Sequence, residues 1–213
     1  MIEKQPLTTV VTAVSRSSHK REQILTSAIN LFCSNGFHNT SMDEVAKLAD
    51  VSKQTVYSHF GCKDVLFAAA IESKCIEHQL SDILLDVPAE PETTLMFFAK
   101  HFGEMIVSAD AITVYQACVA QADTHPQTSQ LYFNAGPLHV FSLLEDYFKA
   151  VSKLGQYYFS QPRHCAVRLC LMLFGEQRIA LELGIDVPFS AEDRTRYLHD
   201  TVSMFLRAYE AKS

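Results

Sequence analysis

The sequence predicts an all-α fold in which a small head of three short helices precedes a larger helical body. Three observations carry this prediction. Apolar residues recur at spacings of three and four along most segments. Turn-forming residues are sparse, with 7 Gly and 7 Pro in 213 residues. The breaks between periodic segments carry helix caps rather than hairpin turns. At 48% hydrophobic and 20% charged, the chain has ordinary globular composition and can bury a substantial core.

The first helix is read in HKREQILTSAINLFCSNGF, where Ile24, Ala28, Leu31 and Phe32 form one stripe. Gly36 should end it in a left-handed conformation, with Phe37 folding back as an apolar cap. NTSMDEVAKLA opens the second helix through a capping box, Ser41 with Glu44, and Met42, Val45, Ala46 and Ala49 form its buried face. Asp50 and Val51 make a tight turn, and Ser52 caps a third helix ending at Phe60. Val56 and Phe60 face inward on that helix. Lys53, Gln54, Thr55, Ser58 and His59 stay outside, with Tyr57 at the boundary.

Two short helices joined by a tight turn match the helix-turn-helix unit, whose second helix enters the DNA major groove. The side chains suit that task. Gln54 can pair with adenine, Lys53 can reach guanine, and the Thr55 methyl can contact thymine. Thr40 and Ser41 can donate to a phosphate together with backbone N–H groups at a helix start, and Lys63 can bind another. Arg16, His19, Lys20 and Arg21 could add backbone contacts. On pattern alone, a solvated helix on a small bundle fits equally well. Charge does not argue against DNA, because residues 1–64 hold seven Lys/Arg against six Asp/Glu, although the whole chain stands at −6.

The order FxxxGFxxTSMxxVAxxAxVSxxTVYxHFxxKxxLF, from Phe32 to Phe67, resembles the N-terminal domain of TetR/AcrR-family transcriptional regulators. That resemblance implies an N-terminal helix-turn-helix DNA-binding domain and a larger all-helical C-terminal domain for ligand binding and dimerisation. It places Thr40 and Lys63 at phosphates, Tyr57 and His59 at the DNA backbone, and Lys53, Gln54 and Thr55 at base edges; Ser52 and Ser58 flank them. Asp50 stands where the family often has glycine, and Gly61 and Cys62 replace more polar residues. The domains are expected at residues 18–64 and 65–213, after a flexible arm at 1–17.

The body should begin with one long fourth helix, KDVLFAAAIESKCIEHQLSDILLDV, ending before Pro88. Helices at TTLMFFAKHFGEMIVS, DAITVYQACVAQAD, QTSQLYFNAG and PLHVFSLLEDYFKAVSKL follow, with Pro126 and Pro137 suited to first turns. The order FFAKHFGEMI…YQACVAQAD…PQTSQLYFNAGPLHV resembles an AefR-like subset of the family. Phe97, His101, Met105, Tyr115, Cys118, Gln121, Phe133, Phe174 and Gln177 are candidates to line a pocket for a small-molecule effector. Residues 165–174, CAVRLCLMLF, are apolar nearly all round. Such a helix needs cover on several sides. Leu169 and Leu173, with Leu198, Val202, Phe205 and Tyr209 on the last helix, are therefore expected at a homodimer interface, which the family resemblance also implies.

Other classes find little in the sequence. There is no catalytic Ser/His/Asp order, phosphate loop or carboxylate pair, so an enzyme is not expected. The nine histidines show no metal-ligand spacing, and no metal or cofactor is called for. No apolar run approaches the roughly 20 residues of a membrane span. The N-terminal patch TTVVTAV lacks the basic flank of a signal peptide, so a cytoplasmic protein is expected. The six cysteines are scattered without CxxC pairs and read mainly as core filling, with Cys62 and Cys118 the candidates for an alternative thiol-based switch. The leading expectation is a repressor that binds a near-palindromic double-stranded operator and is released by a small hydrophobic or aromatic ligand.

Overall fold

The computed structural model describes residues 8–80, 87–185, 188 and 190–211, with side chains from residue 17 onward. Among the described residues the secondary structure is helical, apart from one isolated bridge between Tyr157 and Glu210. The chain divides into two compact units, residues 1–70 and 71–213.

The first unit holds α1 (Thr8–Asn35), α2 (Met42–Leu48), α3 (Lys53–Phe60) and the start of α4 (Lys63–Glu77). Helix α1 starts earlier than the apolar stripe suggests. Residues 8–17, expected as part of a flexible arm, are helical, and no Gly or Pro interrupts the chain between Pro6 and Gly36. At its other end Gly36 takes φ +77°, donates its N–H to the Phe32 carbonyl at 3.0 Å, and lets Phe37 stack on Phe32 at 5.9 Å. Ile24, Ala28, Phe32, Val45, Val56, Phe60, Leu66 and Phe67 form the core. Burying each large side chain contributes about 1.5–3 kcal/mol. Phe67 meets Phe32 and Phe37 edge-on at 5.1 and 5.0 Å. The first turns of α4 therefore belong to this unit, and the boundary falls after Ala70 rather than after residue 64.

Helix α4 ends at Glu77, well short of Pro88. Gln79 takes φ +57°, its N–H bonds the Ile76 carbonyl at 2.8 Å, and the Leu80 N–H bonds the Cys75 carbonyl at 2.8 Å. This is a Schellman closure, and the apolar contact it needs comes from Leu80, only 1% exposed in the same core as Cys75. The expected continuation through residues 81–86 lies outside the described residues.

The second unit continues with α5 (Pro91–Ile106), α6 (Ala109–Ala120), α7 (Pro126–Phe133), a π turn (Asn134–Leu138), α8 (His139–Ser152), α9 (Pro162–Glu182) and α10 (Ala191–Tyr209). Proline starts α5, α7 and α9, where its missing N–H costs nothing. Pro137 does not start a helix. It lies inside the π turn, whose wider winding accommodates a residue that cannot donate in the α-helical ladder. Helices α5, α8, α9 and α10 enclose a core that includes Leu95, Phe98, Leu144, Phe148, Leu169, Leu173, Val202 and Phe205. The end of α10 is tied to the loop after α8 by Tyr158 N–H to the Tyr209 carbonyl at 2.8 Å and Ala211 N–H to the Gln156 carbonyl at 3.1 Å.

Helix α9 is broken at Gly175, with φ +63° and ψ −176°, a conformation open to glycine almost alone. The break releases carbonyls from the helical ladder, and α10 satisfies them. Arg194 donates to the Leu173 and Phe174 carbonyls at 3.2 Å each, and the Tyr197 hydroxyl donates to the Met172 carbonyl.

Candidate functional site

The polar surface of the first unit is built by two caps and one turn. Ser41 Oγ accepts the Glu44 N–H at 3.2 Å, while Glu44 Oε2 accepts the Ser41 N–H at 2.8 Å, so the expected capping box is formed. Those bonds to Ser41, backbone first, hold the Glu44 carboxyl below the usual carboxylate range. Asp50 takes φ +50°, and the Val51 N–H bonds the Ala46 carbonyl at 3.1 Å. Aspartate thus replaces glycine at the left-handed position of a Schellman turn. Ser52 then caps α3 through the Thr55 N–H at 3.1 Å.

These constraints fix which face of α3 points outward. Val56 is fully buried and Phe60 is 4% exposed, whereas Ser52, Lys53, Gln54, Tyr57 and Ser58 are exposed and Thr55 and His59 half-buried. Among the described residues, Gln54 makes no side-chain contact that would hold it back from a ligand. Lys53 is engaged instead. It pairs with Asp43 of α2 at 2.8 Å and lies 5.9 Å from the Tyr57 ring centroid. The hydrogen bond and charge of Asp43 raise its pKa. The Thr55 hydroxyl shares a bond with Ser52 Oγ at 2.8 Å, and the Ser58 hydroxyl donates to the Thr55 carbonyl at 2.8 Å.

Two expected phosphate ligands have different work in the structure. Thr40 is 1% exposed and its hydroxyl donates towards the Gly36 and Leu31 carbonyls, at 2.9 and 3.2 Å. Lys63 Nζ donates to the carbonyls of Phe37, His38 and Thr40 at 2.8, 3.3 and 3.0 Å, and lies 4.4 Å from the Phe37 ring centroid. An ammonium has three N–H donors, so this lysine is saturated, and burial lowers its pKa. Both residues pin the loop that delivers the start of α2. Of the other expected backbone contacts, Tyr57 is exposed and His59 half-buried, while the Ser41 N–H and hydroxyl both reach Glu44 Oε2 at 2.8 Å.

The expected interface residues are corrected more sharply. Leu169, Leu173 and Val202 are fully buried, Leu198 and Phe205 are at 6% and 3% exposure, and Tyr209 packs against the same core. They hold the protomer together. Exposed apolar side chains on other faces of the same helices include Leu171 at 56%, Ile179 at 57%, Tyr197 at 40% and Met204 at 50%. Besides the Arg194 bonds, α9 and α10 are joined by Arg168 to the Tyr209 hydroxyl at 3.2 Å and by Tyr197 to the Met172 carbonyl.

The nine proposed pocket residues separate. Tyr115 and Phe174 meet around a residue the sequence reading missed, Arg178, which is 3% exposed. Its Nε donates to Glu182 Oε1 at 2.6 Å and its Nη1 to the Ile106 carbonyl. Tyr132 lies against the same guanidinium, with burial pushing its phenol up to about 12 and Cys118 close by. Phe133, by contrast, is 45% exposed, so the inward aromatic is its neighbour. The Phe97 and His101 rings lie tilted against each other at 4.1 Å, with Phe97 exposed. Met105 packs on the core, and Gln121 ends α6, its carbonyl accepting from the Thr124 and His125 N–H groups. Gln177 Oε1 is buried without a partner among the described residues.

The six cysteines are free thiols. Burial pushes Cys75 and Cys118 up to about 11 and Cys170 further still. Such thiols hold little thiolate and are poor redox sensors. Among the described residues no cluster of His, Cys, Asp and Glu could hold a metal, and no helix is long and apolar enough to cross a membrane.

A capped pair of short helices, a left-handed turn and an outward polar second helix define a helix-turn-helix protein. The chain belongs to the TetR family of bacterial regulatory proteins. The family's N-terminal model matches residues 24–70, and residues 93–211 match the C-terminal domain of AefR-like transcriptional repressors. The HTH-type transcriptional regulator RutR of Escherichia coli K12 is 37% identical over 116 residues, 54% of this chain and 47% of RutR. The chain thus matches about half the length of that relative. A putative TetR-family regulator from Mesorhizobium loti MAFF303099 superposes with a TM-score of 0.72 at 26% identity, covering 92% of this chain and 99% of that one. A TetR regulator from Agrobacterium tumefaciens gives 0.68 at 18% identity, over 90% and 95% of the two chains, a likeness of fold.

Proposed function

We propose that the chain is a homodimeric DNA-binding transcriptional repressor, released from a near-palindromic operator when a small hydrophobic or aromatic molecule enters the C-terminal unit. The observation that carries this reading is the sidedness of α3, with Val56 and Phe60 buried while Ser52, Lys53, Gln54, Tyr57 and Ser58 are exposed. Gln54 and Lys53 read bases, and Ser41, Tyr57 and His59 hold the backbone. Lys53 leaves Asp43, or bridges it to a base, when the helix enters the groove.

One such helix makes too few contacts for tight specific binding. Two copies of the chain, packed through Leu171, Tyr197 and Met204, present two reading helices to half-sites about 34–36 Å apart or a little more. The effector acts by binding the DNA-free arrangement better than the DNA-bound one, since equal affinity for both shifts nothing. Helix α4 is continuous from Lys63 to Glu77 and so joins the two units covalently.

DNase footprinting of the chain's own upstream region at low salt tests the reading. A protected near-palindrome is expected, with protection fading as salt rises. A uniformly cleaved region would overturn the proposal.

A further inference from the structure

Arg178 is a charged group almost sealed in an aromatic surround. It is 3% exposed, its guanidinium carbon lies 4.8 Å from the Tyr115 centroid and 5.6 Å from that of Phe174, and Tyr132 lies alongside. Isolated burial of a cation is strongly unfavourable, so the site requires an acceptor of negative charge. At present Glu182 fills that role, on the next turn of the same helix.

Glu182 holds Arg178 at 2.6 Å, but from an unfavourable position. It is the last residue of α9, where the carbonyl end of the helix dipole repels a carboxylate. Its side chain is 22% exposed against 4% for Arg178, so the acid sits towards solvent and the base within. The turn just beyond it closes at Gly184, with φ +69°. Among the described residues, Glu182 and the Ile106 carbonyl take two of the five guanidinium N–H donors and the Tyr132 phenol makes a third side-chain hydrogen bond. A guanidinium with donors to spare takes a carboxylate in bidentate fashion, and rings on its flanks favour a flat aromatic body.

We propose that the effector is an aromatic acid, a flat ring bearing a carboxylate, which displaces Glu182 from Arg178 and lays its ring among Tyr115, Tyr132 and Phe174. This deepens the effector-released reading and rests on it. The displacement also reaches the backbone. Gln116 of α6 donates to the carbonyls of Leu181 and Glu182 at 3.3 and 2.9 Å, so freeing the last turn of α9 loosens its latch to α6.

Titration calorimetry on the full chain tests this, with benzoate and 2-naphthoate against benzamide and 2-naphthamide, their uncharged counterparts. Each acid should bind at least tenfold more tightly than its amide. Glu182→Gln, which weakens the internal competitor while leaving the guanidinium in place, should tighten acid binding several-fold. Arg178→Lys should abolish the preference for acids. Absence of binding by either acid, equal binding of acid and amide, or no gain in Glu182→Gln would overturn the proposal. A mobility-shift assay on the ligand-free protein runs beside it. Failure to bind DNA there would sink the regulator reading, whatever calorimetry returns. An acid that binds Arg178 without weakening the DNA complex would instead overturn the effector role alone.

Discussion

The two units carry their chemistry in opposite ways. In the first, the polar side chains that matter stand on the outside of short helices, each fixed by a cap within three residues: Ser41 with Glu44, Ser52 with Thr55. In the second, the principal polar group lies inside, on a helix broken at Gly175, and its backbone acceptor, Ile106, is 72 residues away. On the proposed function, the contrast separates two tasks. A surface that must meet a rigid duplex needs local stiffness, which caps and tight turns provide. A site that must open for a small molecule needs exchangeable partners and a backbone already bent.

The sharpest way to break this comparison is at the bend. Gly175 has φ +63°, and a Cβ there would lie 2.9 Å from Tyr197 Cε1. Gly175→Ala should therefore cost about 1–3 kcal/mol for the backbone alone, with the clash adding to it. Thermal unfolding followed by circular dichroism should show a midpoint lower by roughly 2–12 °C, since each kcal/mol shifts a chain of this size by about 2–4 °C. An unchanged midpoint would mean that α9 runs straight.

Lys63 offers the next largest effect and sharpens the first unit's half of the comparison. Lys63→Ala strips partners from the carbonyls of Phe37, His38 and Thr40, at about 1–3 kcal/mol by the usual penalty for orphaned acceptors. A clear fall in the melting midpoint is expected. If Lys63 were instead a phosphate ligand, stability would hold and the salt dependence of DNA binding would become shallower.

Gln54→Ala should act in the reverse sense. The side chain is exposed and makes no internal bond among the described residues, so the melting midpoint should stay put. DNA affinity should drop by about 1–3 kcal/mol, roughly five- to 150-fold, the value of a bidentate base contact. Mobility shifts on the footprinted operator would read it, and the loss should be smaller on unrelated duplex.

How much was legible in the sequence follows from the range of each interaction. The capping box, the Gly36 stop and the left-handed Asp50 turn all act over five residues or fewer, and each is formed. The outward face of α3 follows from Val56 and Phe60 by helical periodicity alone. Residue type makes Thr40 and Lys63 donors to DNA, while in the structure Thr40 donates to carbonyls four and nine residues back and Lys63 to carbonyls 23 to 26 residues back. Leu169, Leu173, Leu198, Val202 and Phe205 lie on the inner face of α9 and α10. A segment apolar all round does not disclose which side meets its own core. Arg178 did leave a trace, an arginine four residues before a glutamate beyond a mid-helix glycine. That spacing is also common on solvated helices, so only packing could single it out.

The smallest expected effect concerns acid. Glu44 has its carboxyl pKa lowered from 4.5, chiefly by the Ser41 N–H and hydroxyl, with the Lys63 charge adding to them. A depressed folded-state pKa means that the ionised form stabilises the native state. Its contribution is therefore fully present above the unfolded value of 4.5 and is lost as pH falls through the lower, folded value. The wild-type chain should be more stable than Glu44→Gln at neutral pH, and the gap in melting midpoint should shrink steadily below pH 4.5. Because the carboxylate faces solvent, screening keeps the gap small. It should narrow further in Ser41→Ala, where the hydroxyl is gone but the backbone N–H still bonds the carboxylate. A gap that stayed constant with pH would show that the glutamate matters only for its shape, and the rigidity of the reading surface would then have to come from Ser52, the Asp50 turn and Lys63.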